Sequence, residues 1–200
     1  MRSILVSVFV SVILQGLLGS QLRAVPQGNE EYDVYSAVIG KIYVQPEIKR
    51  VVIDDQTEIY PHDRAKLNIA KETDSIMKAF AAWSIEPDTV ASYFAANKAP
   101  SRLQNHFTLR VPDVLLTRKE RYNLSHDPRR LDYWTIFYEH YPHSPGTLVL
   151  SRVGFNRTMD QAFVYVANSC GSLCGVGEYY LLSKKNGAWK VKAVFRLWVS

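Results

Sequence analysis

The last third of the chain carries four strand-like runs in succession, GTLVLSRVGF, QAFVYVAN, GEYYLLSK and AWKVKAVFRLWVS, joined by short connections. Such a series reads as an antiparallel meander, and it limits the fold more than any other feature. The connection KKNGAW contains Asn186-Gly187, a strong hairpin signal because both residues accept positive φ. In the final run Trp189, Val191, Ala193, Phe195 and Leu197 alternate with Lys190, Lys192, Val194 and Arg196. That pattern predicts one apolar and one largely polar face, as in a sheet covered on one side.

Helical periodicity dominates the residues before the meander. Tyr32, Val34, Tyr35, Val38, Ile39, Ile42 and Tyr43 recur at helical spacing until Pro46. KRVVIDDQTEIY then reads as a strand. DSIMKAFAAWSI reads as a helix capped by Asp74 or Ser75, and DTVASYFAANKA as another capped by Asp88. HFTLRVPDVLLTRKERYNLS is mixed, with Pro112 interrupting one bent strand or two short ones. DPRRLDYWTIFYEHYP returns to helical spacing. The expected class is α+β, with N-terminal helices packed on a four-stranded antiparallel meander. A cystatin-like or ketosteroid-isomerase-like cone is the fold analogy.

The first residues, MRSILVSVFVSVILQGLLGSQLRA, have the layout of a secretory signal peptide: Arg2, an apolar run, then small residues. The run is interrupted at Gln15 and falls short of the about 20 apolar residues that span a bilayer. This predicts a signal peptide at 1–24, a linker at 25–30 and one domain at 31–200. An exported protein, periplasmic or secreted, with no stable membrane anchor is the expectation. Loss of residues 1–24 lowers the net charge from +5 to +3, because Arg2 and Arg23 leave with them. A balance that mild argues against a nucleic-acid partner.

Cys170 and Cys174 are the only cysteines, in NSCGSLCGVG. A redox dithiol favours Cys-x-x-Cys at a helix N-terminus, and structural zinc needs four ligands. Export and the flanking Gly171 and Gly175 favour a local disulfide that fixes a strand connection. Free or intermolecular thiols, a redox pair and a metal clip remain the alternatives. His140 and His143 lie in YEHYPHSPG, without the zinc-protease spacing. Glu139 or Asp132 beside His140 is a weak acid–base signal. The sequons NLS at Asn123 and NRT at Asn156 matter only on a eukaryotic secretory route. Arg152, if turned inward, needs a carboxylate, for which Asp160 and Glu178 are candidates. Aromatics crowd the second half and read mainly as core.

Four segments carry a resemblance: Trp134–Pro142, Leu150–Asn156, Gln161–Val166 and Trp198–Ser200. In them the chain resembles a group of bacterial exported proteins of unknown function that share WxxFYxxYP, LSRVGFN, QAxVYV and a WVS end. The resemblance implies a bacterial source and transfers no activity. The leading expectation is a non-enzymatic domain binding a protein partner or small ligand, with no catalytic residue, metal or cofactor assigned. Its weak binding candidates are Trp134, Tyr138, His140 and Arg152. The alternative is an enzyme, either a hydrolase using His140 with a carboxylate or a thiol oxidoreductase using Cys170 and Cys174.

Overall fold

The computed structural model describes residues 29–60 and 67–200. The signal peptide and most of the linker expected from the sequence lie outside these residues. In chain order the elements are α1 (Asn29–Ile42), β1 (Val51–Asp54), α2 (Ile69–Ala79), a 3-10 turn (Ala81–Trp83) and α3 (Pro87–Ala96). There follow β2 (Asp113–Leu116), α4 (Arg118–Ser125), α5 (Tyr133–His140), β3 (Thr147–Leu150) and β4 (Gly154–Phe155). The chain closes with β5 (Gln161–Gly171), β6 (Cys174–Lys185) and β7 (Ala188–Val199).

The class is α+β, but the expected four-stranded antiparallel meander is not what forms. The described strands make one seven-stranded mixed sheet, ordered β2-β1-β3-β5-β6-β7, with β4 also paired to β5. β1 runs parallel to both β2 and β3. The reason lies in the connections. Helices separate β1 from β2 and β2 from β3, and such crossovers bring strands back in the same direction. The antiparallel run of β4, β5, β6 and β7 is one part of this sheet, and β1, β2 and β3 extend it. A cone built on a four-stranded meander alone does not describe a seven-stranded mixed sheet.

The run GTLVLSRVGF also behaves differently from the expectation. Leu150 pairs with Val166 and Gly154 with Phe163, so β3 and β4 follow β5 with one extra residue between them. Ser151 fills this bulge: its N–H donates to Tyr165 O at 2.9 Å, and its Oγ accepts from Tyr165 N at 2.9 Å. A bulge re-aims the side chains beside it.

Both faces of the sheet are covered at its centre, where Gln161 to Ala167 are buried without alternation. One face packs against α1, with Tyr35, Val38 and Ile39 meeting Leu148, Leu150, Val164 and Leu182. The other face has two covers. α2 and α3 bring Ile76, Phe80, Val90 and Tyr93 onto Phe163, Tyr179 and Leu181. α4 and α5 bring Leu124, Ile136 and Phe137 onto Val52 and Leu116.

β7 does not keep its predicted alternation. Leu182 pairs with Val191 but Leu181 pairs with Ala193, which leaves Lys192 as a bulge. Trp189 and Val191 therefore join the α1 side, whereas Ala193, Leu197 and Trp198 join the opposite core. The predicted hairpin is present, with φ of 51° at Asn186 and 79° at Gly187.

The caps differ in detail. α2 is capped by Asn68, whose Oδ1 accepts from Lys71 N, rather than by Asp74 or Ser75. α3 starts on Pro87, so Asp88 lies inside its first turn; Gln161 Oε1 accepts from Glu86 N at 2.7 Å in place of a local cap. The second half of the mixed segment is α4, closed by a Thr117–Glu120 capping box.

Gly154 is where β4 touches α3 most closely. A Cβ there would stand 2.4 Å from Tyr93 N and 2.6 Å from Thr89 O, both backbone atoms. Neither can move without shifting the helix. Gly154→Ala is expected to destabilise the fold by about 3 kcal/mol, read as a lower urea midpoint with an unchanged slope.

Candidate functional site

The four binding candidates do not converge. Trp134, Tyr138 and His140 share α5, while Arg152 lies on the α1 side of the sheet.

Arg152 leaves the Ser151 bulge and meets Glu31 from the first turn of α1. Nε donates to the two carboxylate oxygens at 2.8 and 3.1 Å. Glu31 is only 3% exposed. It also accepts from Val153 N and from the Tyr35 hydroxyl, each at 2.9 Å. Burial alone would pull the guanidinium pKa down, but the hydrogen bond and charge of Glu31 outweigh it and raise it. Asn97 clamps the backbone of the same residue, accepting from Arg152 N at 2.8 Å and donating to its carbonyl at 2.9 Å.

The partner is therefore neither Asp160 nor Glu178. Asp160 accepts from the Asn156 amide and the Thr158 hydroxyl, and Glu178 accepts from Arg196 and Tyr180. Asn156 is itself buried and holds the β4–β5 turn, with Oδ1 accepting from Asp160 N and Gln161 N. Most of SRVGFN thus serves architecture. Glu31→Ala leaves a guanidinium without its counter-charge and Val153 N–H without its acceptor, while the Tyr35 hydroxyl keeps Ser151 O at 2.8 Å. It is expected to cost about 3–5 kcal/mol in chemical denaturation.

On α5, Trp134 packs edge-on against Tyr133 and Phe137. Tyr138 reaches across and donates its hydroxyl to Cys170 O at 2.9 Å. His140 anchors Nδ1 on Ile136 O at 2.9 Å and lines a cleft of about 340 Å³ with Tyr122, His126 and Asp127. His126 anchors Nδ1 on Tyr122 O and stacks on the Tyr122 ring at 4.0 Å.

The carboxylates near His140 are engaged elsewhere. Asp127 binds Arg129 through Nε and Nη2, and Arg129 continues to Glu139 at 2.8 Å. Asp132 is the N-cap of α5, accepting from Trp134 N and Thr135 N. Neither predicted acid–base pair is hydrogen-bonded to the imidazole. Among the described residues no group of three or more His, Cys, Asp or Glu is placed to hold a metal.

Cys170 and Cys174 are joined, with a Cα separation of 5.0 Å, at the tip of the β5–β6 hairpin. The flanking chain is held on its own account: β5 and β6 pair from Gln161↔Ser183 to Ser169↔Gly175, and Ser200 exchanges backbone hydrogen bonds with Gly175. A loop this short constrains the unfolded chain little. Cys170→Ser with Cys174→Ser is expected to cost no more than about 2 kcal/mol and to leave the far-ultraviolet circular dichroism unchanged.

A second concavity contains none of the predicted residues. The last turns of α1 and the segment 109–111 enclose a groove of about 280 Å³. Ile39, Gly40, Tyr43 and Val44 form one wall, Leu109 and Val111 the other, and Val51 of β1 lies between them. Hydrogen bonds from outside the groove position the second wall: Gln104 N donates to Tyr32 OH, Thr108 N to Ser36 Oγ, and Val51 N to Pro112 O.

Arg110 is the one charged lining residue, and Nη2 donates to Gln45 O at 3.0 Å. Val44 is 66% exposed, an open aliphatic surface at the mouth. Tyr43 lines the wall, and its buried hydroxyl has no hydrogen-bond partner among the described residues. Burial raises its pKa above the ordinary tyrosine value, so it stays protonated.

Gly40 is the informative member. Glycine inside a helix costs about 1 kcal/mol relative to alanine. Close packing often explains such a residue, yet a Cβ at Gly40 would meet nothing within 4 Å. Gly40 is exposed and lies on the groove wall, so the helix surface there is bare. The sequence held this signal, a glycine within the α1 apolar pattern, but the opposite wall comes from a segment some 70 residues away.

The chain matches no family model, no curated protein and no solved structure.

Proposed function

We propose that the protein is an exported, non-enzymatic binding domain that takes a small apolar ligand in the groove between α1 and the segment 109–111. The observation that carries this reading is the groove itself, a concavity lined by aliphatic and aromatic side chains with an open helical glycine, Gly40, on one wall. The groove belongs to a rigid frame. One wall is a helix pinned at its first turn by Glu31, and the floor is a buried strand.

The exported setting draws on the signal-like first segment and on the Cys170–Cys174 bond, which persists in an oxidising compartment. It agrees with the resemblance to bacterial exported proteins. The residues of that resemblance serve mainly as packing and hydrogen-bonding parts, in keeping with a scaffold that carries its ligand elsewhere. The engagement of Asp127, Glu139 and Asp132 favours binding over hydrolysis at His140.

Gly40→Trp places a large side chain in the groove without touching the core. In a thermal-shift screen of small apolar compounds, hits are expected to raise the melting temperature of the wild type and not that of Gly40→Trp. Hits that stabilise both chains equally, or whose NMR shifts map to His126 and His140, would move the site away from α1.

A further inference from the structure

We infer that the ligand of this groove is a single-chain anionic amphiphile, a free fatty carboxylate whose chain lies along Ile39, Val44 and Leu109 and whose head meets Arg110. The inference rests on the groove being the ligand site and goes on to name the ligand's chemistry. Its basis is the match between lining and charge. The walls are aliphatic and aromatic apart from Arg110, and among the described residues no carboxylate lines them.

Arg110 stands at this apolar surface with one hydrogen bond, to a main-chain carbonyl, and no carboxylate partner among the described residues. A guanidinium has five donors in a planar fork, a geometry that suits a carboxylate. The neighbouring chain adds to the field. Lys41 adjoins Gly40, and Lys49 and Arg50 lead into Val51, whereas the acidic residues of these stretches, Glu47 and Asp113, lie outside the lining. Lys49 is turned to Pro46 O, which leaves Arg110 as the cation of the groove itself.

Size narrows the class further. At about 280 Å³ the groove lies just below the range that takes drug-sized ligands, and it is a channel between two chain segments rather than a closed chamber. A flexible chain fits that shape better than a fused ring system. The hydrocarbon supplies non-directional burial, and the head group supplies orientation.

The test compares decanoate with decanol by calorimetric titration, below the micelle concentration, on the wild type, Arg110→Gln and Gly40→Trp. Decanoate is expected to bind the wild type about tenfold or more tightly than decanol. In Arg110→Gln the two should bind alike, at the decanol level. Gly40→Trp should lose both affinities while retaining the native circular dichroism and a cooperative melt. Equal affinities of decanoate and decanol for the wild type would overturn the anionic head and leave the groove standing. Unchanged binding to Gly40→Trp would overturn the groove and this inference together. No binding of either compound to the wild type would overturn the amphiphile class, while the thermal-shift screen would still decide the groove.

Discussion

The Glu31 carboxylate is the joint on which the rest of the molecule depends. It sits in the first turn of α1 and holds three donors that come from two places, the Arg152 guanidinium and Val153 N–H after β3, and the Tyr35 hydroxyl one helical turn on. A carboxylate this deeply buried is tolerable only when its charge is matched and its lone pairs are filled. Here that requirement sets the direction of α1 across the sheet. It also keeps the Ser151 bulge in place, because the bulge is what turns Arg152 toward the helix. Asn97, at the end of α3, clamps the same backbone from the opposite side of the sheet. One short stretch of chain thereby ties together a helix from each layer.

From that joint the two cores follow. With α1 fixed, its apolar stripe covers the centre of β3, β5 and β6, and the reverse face is left to α2 and α3. β5 is consequently buried on both sides. β7, at the edge, responds by changing face at the Lys192 bulge, so that Trp189 serves one core and Ala193 the other. A bulged edge bearing lysines is also a poor template for pairing with another sheet. The groove is a by-product of the same arrangement. α1 is pinned at its N-terminal end, and Gly40 near its other end and Val44 just past it are exposed beside a stripe that stays in the core.

The legible and illegible parts divide by range. The first helix, the two helices on either side of Pro87, the helix bearing Trp134 and the Asn186-Gly187 hairpin were all readable, because each rests on neighbours a few residues apart. The Thr117–Glu120 capping box is equally local, but it lies within a mixed segment whose strand-like first half masks the helix start. The partner of Arg152 was not readable: nothing marks Glu31 as its acceptor across 121 positions. Nor was the face change in β7, since an alternating sequence does not reveal where a ladder slips by one residue. Of the groove, only Gly40 left a trace.

The sequence by itself determined the periodicities, the turn chemistry and the cysteine pair, all of which depend on spacing and on the intrinsic preferences of each residue. Tertiary structure alone decided that β1 lies between two parallel neighbours, that Arg152 belongs to α1, and that the segment 109–111 faces Gly40. Those outcomes come from burying a large apolar surface while pairing a buried carboxylate such as Glu31 with its counter-charge. That balance is struck over the whole chain, and no local stretch contains it.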